Sequence, residues 1–244
     1  MDSPNFTPLP DYFKKNQVKS IATFVSKSDD AYRNVLKNEH LLVEFRMWEK
    51  TFFFSLGLLI LNFFYLYIQT RRFNIYLYNK AFATTSVILV GLSFALSGIC
   101  YFWNFADKKI IYRKYLGIVG FFYGLLHGGV SFFLLPGPSP LSYYLSREHI
   151  LPFLSGFLAL LIFLMMTLIS NRYSIQHLGG RLWKNLMHLG YIAYFFVIIH
   201  IILLNLGGWK NILSGLYLIT LIFALLVIGL RIGLYLKTKK QTRD

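Results

Sequence analysis

The chain has 244 residues, 56% of them hydrophobic, and its 25 lysines and arginines against 10 acidic residues give a formal net charge of +15. This composition, with a mean hydropathy of +0.52, is that of a membrane protein and excludes an ordinary soluble domain. The basic residues lie in the first 50 positions, in short loops and in the C-terminal tail. That distribution is typical of cytoplasmic loops facing anionic lipid, so the expected partner is a lipid bilayer and not a nucleic acid. With Cys100 as the only cysteine, disulfides within the chain and cysteine-ligated zinc or iron–sulfur sites are excluded.

The first 50 residues are polar and lack the short apolar stretch and cleavage site of a secretory signal. Residues 12–25 mix basic and apolar side chains at helix-like spacing, which favours either a helix on the inner membrane surface or a loosely ordered solvated tail. We therefore divide the chain into a polar cytoplasmic segment (1–50), a membrane domain (51–236) and a short basic cytoplasmic tail (237–244).

Six apolar segments predict an all-α integral membrane protein, a bundle of six transmembrane helices. Each segment is close to the roughly 20 residues that cross a hydrocarbon core of about 30 Å. The five connections are the segment 69–80, two basic loops, a Pro-rich loop at 136–150 that we expect to be free of helix, and a tight turn at 207–211. The predicted spans are 52–68, 81–105, 115–135, 151–169, 185–206 and 212–235, and the basic loops are 106–114 and 171–184.

The lysines and arginines predict the orientation of this bundle. With the N-terminus in the cytoplasm, sixteen of the basic residues from position 33 onwards fall on the inner side and five on the outer side. Cytoplasmic loops are enriched in these residues, so both termini are predicted to be cytoplasmic. The expected location is a cell membrane, specifically the bacterial inner membrane.

Three histidines are the candidate functional residues of the spans. His127 and His200 lie in the predicted third and fifth helices, about 13 Å and 10 Å from the outer ends of those helices at 1.5 Å per residue. His188 lies about 18 Å from His200 along the same helix, so one cofactor cannot share those two. An ionisable group in hydrocarbon is costly and indicates a function by default, and imidazole is the usual axial ligand of haem iron.

Two interpretations of these histidines remain open. Each imidazole can simply bond a helix carbonyl or a tyrosine, but two imidazoles at matched depth on separate helices favour a ligand pair. Likewise Gly124, Gly128 and Gly129 around His127 allow close helix packing or leave space for a flat macrocycle. Since none of the ten acidic residues lies in a predicted span, electron transfer is favoured over proton-coupled transport.

Two stretches resemble the ferric-reductase-like transmembrane superfamily, and most closely the haem-binding membrane subunits of the periplasmic methionine-sulfoxide reductase system, the MsrQ type. Residues 113–127 (RKYLGIVGFFYGLLH) carry a basic pair, a Leu-Gly, an aromatic-rich stretch and a Leu-His. Residues 178–200 (LGGRLWKNLMHLGYIAYFFVIIH) carry a Leu-Gly, a tryptophan, a tyrosine and a final histidine. The resemblance covers about residues 50–236.

One departure from the family pattern concerns the inner site. The family's first histidine of the fifth helix corresponds to Met187, whereas the histidine here is His188, and one residue turns a helical side chain by about 100°. Met187 is itself a conceivable haem ligand. Arg113 and Lys114 occupy the place where two-haem relatives carry a further ligand, so the resemblance favours a single haem on His127 and His200. A second site at His188 or Met187 stays open.

The resemblance implies a haem b protein that carries electrons from the inner to the outer face. The donor is expected to be a separate flavin reductase or a membrane quinone, because no flavin or nicotinamide domain is seen after the sixth helix. The acceptor is expected to be a periplasmic reductase or ferric iron. The inner basic residues Arg113, Lys114, Arg181 and Lys184 can hold haem propionates, a flavin (FMN) phosphate or an acidic donor, although topology alone explains them. The alternative function is a non-redox scaffold or small carrier that has lost haem.

Overall fold

The computed structural model describes residues 11–103, 109–135, 139–204 and 216–241 and, from residue 41 onwards, most of the side chains in these ranges. Every regular element in these ranges is a helix. The chain divides into two units, Met1–Trp48 and Glu49–Asp244. The eight helices of the described residues are α1 (Asp11–Thr70), α2 (Ile75–Phe102), α3 (Tyr112–Leu134), α4 (Pro140–Tyr144), α5 (Ile150–Leu168), α6 (Arg172–Leu178), α7 (Gly180–Leu204) and α8 (Leu216–Gln241).

Five of these helices are long and apolar enough to cross a membrane, which confirms an all-α integral membrane protein. The candidate spans are Leu41–Thr70, Ile75–Cys100, Tyr112–Leu134, Ile150–Leu168 and Gly180–Leu204. The predicted sixth span corresponds to α8, whose apolar stretch Thr220–Leu234 is shorter than a full crossing in the described residues. The start of that predicted span and the predicted turn at 207–211 lie outside the described residues.

Two loop predictions are wrong in part. The Pro-rich segment 136–150 contains α4, because Pro140 stands in its first turn, where its missing N–H costs no hydrogen bond. The basic segment 171–184 contains α6 and the first turn of α7. Asn171 caps α6 by accepting from the Ser174 N–H at 2.8 Å, and Gly179 separates the two helices at a φ of +72° that favours glycine.

Helix α2 begins six residues earlier than predicted. The Asn74 side chain accepts a hydrogen bond from the Leu77 N–H at 2.9 Å, which caps the helix and brings Tyr78, Asn79 and Lys80 into its first turns. The sequence pattern assigns these polar residues to a loop, and the structure corrects this.

The main core lies where α2 meets α7 and α8. It contains Val90 and Phe94 from α2, Tyr194 and Ile198 from α7, and Val227 from α8. Helix α2 also packs along α3, while α5 packs against both α3 and α7. A bond of 3.0 Å from the Asn62 amide to the Thr85 hydroxyl joins α1 to α2. In apolar surroundings such a contact contributes about 0.6 kcal/mol. Helices α2, α3, α5 and α7 together position the histidines.

Candidate functional site

His127 on α3 and His200 on α7 face each other. Their ring centroids are 6.3 Å apart and their ring planes are inclined by 76°. Both side chains are partly buried, near the ends of their helices at Leu134 and Leu204. The two residues predicted to lie at matched depth are therefore brought together, with the helix α5 packed against both α3 and α7.

The Nδ1 atom of His127 is held by Asn79 on α2. It lies 2.9 Å from the side-chain oxygen and 3.3 Å from the backbone carbonyl oxygen of Asn79. A carbonyl oxygen can only accept, so Nδ1 carries the proton and donates it. The lone pair of the neutral ring then lies on Nε2, which is the nitrogen left for a ligand.

A chain of polar contacts fixes Asn79 in turn. Its amide nitrogen donates to the Ser131 hydroxyl at 2.8 Å, and the Tyr144 hydroxyl on α4 donates to the Ser131 carbonyl at 2.5 Å. Burial raises the pKa of the Tyr144 phenol, and Tyr143 and Tyr76 act in the same direction. Tyr144 therefore keeps its proton and its role as donor at neutral pH.

His200 is held in the same way by a backbone group. Its Nδ1 donates to the carbonyl oxygen of Pro152 on α5 at 2.7 Å, which again leaves the lone pair on Nε2. Gly156, one turn further along α5, is the residue that makes this contact possible. A Cβ atom at position 156 would lie 2.8 Å from the His200 Nδ1 and would push the ring away.

The three glycines around His127 differ in what they do. A Cβ on Gly124 would lie 2.9 Å from the Ser86 hydroxyl, so this glycine serves the close approach of α3 to α2. A Cβ on Gly128 would lie 3.3 Å from Leu160 on α5, whereas a Cβ on Gly129 would meet nothing within 4 Å. Close packing therefore explains Gly124, and open space remains beside Gly129.

His188 has a different environment near the opposite end of α7. The Arg231 guanidinium on α8 donates to its Nε2 at 3.1 Å and also lies 4.8 Å from the centre of the Tyr191 ring. The positive charges of Arg231, Lys184 and Arg113 lie close enough to the His188 imidazole to interact with it electrostatically. Met187, the neighbouring candidate, is buried with 9% of its surface exposed.

The remaining basic candidates lie near the Tyr112 and Gly180 ends of α3 and α7. Arg113 is half-buried, and its carbonyl accepts from the Ser93 hydroxyl at 2.7 Å. Lys114 is exposed, with its ammonium group 5.7 Å from the centre of the Tyr115 ring. Arg181 and Lys184 are also exposed. Arg231, which lies within the predicted sixth span and is not a candidate from the sequence, is therefore part of this basic region.

The arrangement offers two neutral imidazole nitrogens and little else to a metal. Within the described ranges, no group of three or more His, Cys, Asp or Glu side chains stands close enough to hold a metal ion. Zinc and similar ions take three or four protein ligands, so a pair of histidines suits a centre whose other ligands come from a cofactor.

The sequence pattern misses Asn79, Pro152 and Gly156 as members of this site. Asn79 stands beside Lys80 in a polar run, Pro152 contributes only its carbonyl, and Gly156 only its missing side chain. An Asn inside an apolar helix can be recognised in the sequence, once Asn74 is identified as the residue that caps α2.

A comparison with curated proteins finds a partial similarity. The protein-methionine-sulfoxide reductase heme-binding subunit MsrQ of Agrobacterium fabrum is 35% identical to this chain over 102 residues. The match covers 41% of this chain and 46% of the relative, so the chain aligns with a little under half of that protein's length. The relative is by its name a heme-binding subunit. No protein-family profile matches the chain.

Proposed function

We propose that this protein is a haem b membrane subunit that carries electrons across the bilayer, with His127 and His200 as the axial ligands. The observation that carries the proposal is the pair of imidazoles in contact, each held through Nδ1, with the lone pair of each neutral ring on an Nε2 that has no hydrogen-bond partner among the described residues. The partial similarity to a heme-binding subunit supports the same cofactor.

The spacing of the two rings fits this role. A metal–imidazole bond is about 2 Å long and the ring centre lies about 1 Å beyond the nitrogen, so two rings on one metal have centres about 6 Å apart. The observed separation of 6.3 Å needs no movement of α3 or α7 to satisfy this distance. Two protein ligands are enough for a haem iron, because the macrocycle supplies the other four donors.

The surrounding residues do what a histidine ligand requires. Asn79 and the Pro152 carbonyl fix the tautomer and the orientation of each ring, as the second partners of ligating histidines usually do. Gly156 leaves room for the His200 imidazole, and the apolar helices exclude water. When bound between His127 and His200, the haem would supply one-electron chemistry.

The direction of transfer follows from the proposed topology. With six spans, α8 included, and both termini in the cytoplasm, the pair lies in the outer half of the bundle and the basic region around Arg113 lies at the inner face. We propose the bacterial inner membrane as the location. The donor is a separate flavin reductase or a quinone, and the acceptor a periplasmic reductase or ferric iron.

A single haem is the form we propose. His188 uses Nε2 to accept from Arg231, which leaves it with a protonated Nδ1 and no lone pair for iron. We assign Arg113, Lys114, Arg181 and Lys184 to the positive inner face of the bundle, where FMN or an acidic donor is a further candidate.

The test is the colour of the purified protein. Protein from haem-replete cells should be red, with a Soret band and a sharp α-band on reduction by dithionite. Quantitation against protein concentration should give one haem per chain. Colourless protein from the same cells would overturn the proposal and favour the non-redox scaffold or carrier.

A further inference from the structure

The two histidines are held by partners of different kinds. His200 bonds to a backbone carbonyl, which no substitution at Pro152 itself removes, whereas the nearer acceptor of His127 is a side-chain oxygen. Asn79 therefore offers a direct means of changing the electron density on one imidazole.

We infer that Asn79 is the positioning residue that sets the haem reduction potential, an inference that rests on the haem proposal above. Accepting a hydrogen bond from Nδ1–H makes an imidazole a stronger base. A more basic ligand stabilises ferric iron, which carries the higher charge, more than it stabilises ferrous iron. Asn79 thus lowers the reduction potential in the wild-type protein.

The geometry gives this interaction its strength. The side-chain oxygen of Asn79 is 2.9 Å from His127 Nδ1, within the ordinary range for N–H···O bonds, while the backbone oxygen at 3.3 Å is a weaker second acceptor. Asn79 has only 7% of its surface exposed, so water does not compete well for its oxygen. Hydrogen bonds in such low-dielectric surroundings are electrostatically stronger than those in water.

Asn79 is also held in the orientation that the inference requires. Its amide nitrogen donates to the Ser131 hydroxyl at 2.8 Å, so the oxygen is the atom that faces His127. The Ser131 carbonyl is in turn tied to Tyr144 on α4. The short helix α4 therefore connects to the ligand through three hydrogen bonds, with Ser131 and Asn79 between them.

The experiment measures the midpoint potential and the haem affinity of Asn79→Leu and Asn79→Asp. The leucine removes the 2.9 Å acceptor and leaves the backbone oxygen, so we expect haem affinity to fall about tenfold, the lower end for such a partner. If the loss is tenfold greater for ferric than for ferrous haem, the potential rises by about 59 mV. The aspartate places a charged acceptor at the same position, so its potential should fall below the wild-type value.

The matched control is Asn62→Leu, which removes another buried asparagine, one bonded to Thr85 and not to a histidine. It should lower thermal stability and leave the potential unchanged. Equal potentials in wild type and both Asn79 variants, or shifts of the same sign in both, would overturn the inference, as would an equal shift in Asn62→Leu. A colourless wild-type protein would instead overturn the haem proposal itself. If Asn79→Leu does not fold, the near-isosteric Asn79→Asp still decides the sign.

Discussion

The His127–His200 pair and His188 show how partner atoms, and not residue type, decide what an imidazole in an apolar helix can do. His127 and His200 donate through Nδ1 to oxygens and keep Nε2 free, in rings 6.3 Å apart. His188 accepts at Nε2 from Arg231 and lies among positive charges. The first arrangement leaves lone pairs for a metal, whereas the second uses its lone pair within the protein.

The strongest test of this comparison removes each imidazole of the pair in turn. His127→Ala or His200→Ala would leave the proposed haem with one of its two protein ligands, because the described residues form no larger metal-binding group nearby. We expect either variant to lose haem during purification, measured as the Soret-to-protein absorbance ratio. Full haem retention in either variant would contradict the assignment of that residue as a ligand.

Crowding the site without removing a ligand should have the next largest effect. Gly156→Ala places a methyl group 2.8 Å from the His200 Nδ1, so the ring must leave the Pro152 carbonyl. We expect haem affinity to fall about 10- to 100-fold, measured by transfer of haem to apomyoglobin.

The control for this substitution is Gly124→Ala, where the new methyl group meets the Ser86 hydroxyl at 2.9 Å and touches no histidine. It should loosen the packing of α2 against α3 with little change in haem affinity. Equal losses in the two alanine variants would mean that general packing, and not the His200 contact, controls binding.

The short helix α4 should contribute less than the proposed ligands and their direct partners. Tyr144→Phe removes the hydroxyl that donates to the Ser131 carbonyl at 2.5 Å. Ser131 and Asn79 stand between this hydroxyl and His127. We expect a change in haem affinity of less than about tenfold. The expected measurement is the same haem-transfer rate, compared at pH 6 and pH 9.

The pH comparison has a definite sign. Because burial raises the pKa of the Tyr144 phenol, the wild-type hydroxyl stays protonated over this range and the bond is lost only at higher pH. The ratio of wild-type to Tyr144→Phe affinity should therefore be the same at pH 6 and pH 9. A ratio that collapses by pH 9 would show that Tyr144 titrates below its ordinary pKa.

The sequence predicts that His127 and His200 lie at matching positions along their helices, and the structure brings the two rings together, but the sequence does not predict their hydrogen-bond partners. Counting residues from helix ends places His127 and His200 at similar depth, because the rise per residue is constant. It does not give the direction in which each ring points, which depends on how α3, α5 and α7 are rotated. Asn79 is missed because the cap at Asn74 extends α2 into a polar run that resembles a loop.

A contact between residues far apart in sequence and the local effect of one proline explain the other differences between prediction and structure. Arg231 meets His188 only because α8 packs against α7, a contact between residues 43 apart in sequence. The helix α4 has Pro140 in its first turn, where proline starts a helix instead of breaking it. The apolar spans are predicted well because hydrophobic length is a local property, and five of them are confirmed.

The smallest expected effect on haem comes from His188, and this makes it the sharpest control for the comparison. His188→Ala removes the acceptor of the Arg231 bond, and Arg231→Met removes the donor and the contact with the Tyr191 ring. Either variant should keep nearly all of its haem while losing roughly 1 kcal/mol of stability, measured by thermal inactivation in detergent. If His188→Ala lost as much haem as His127→Ala and His200→Ala, the His188 imidazole would also be a ligand. Such a result would refute the single-haem form and require Arg231 to leave Nε2 when the cofactor binds.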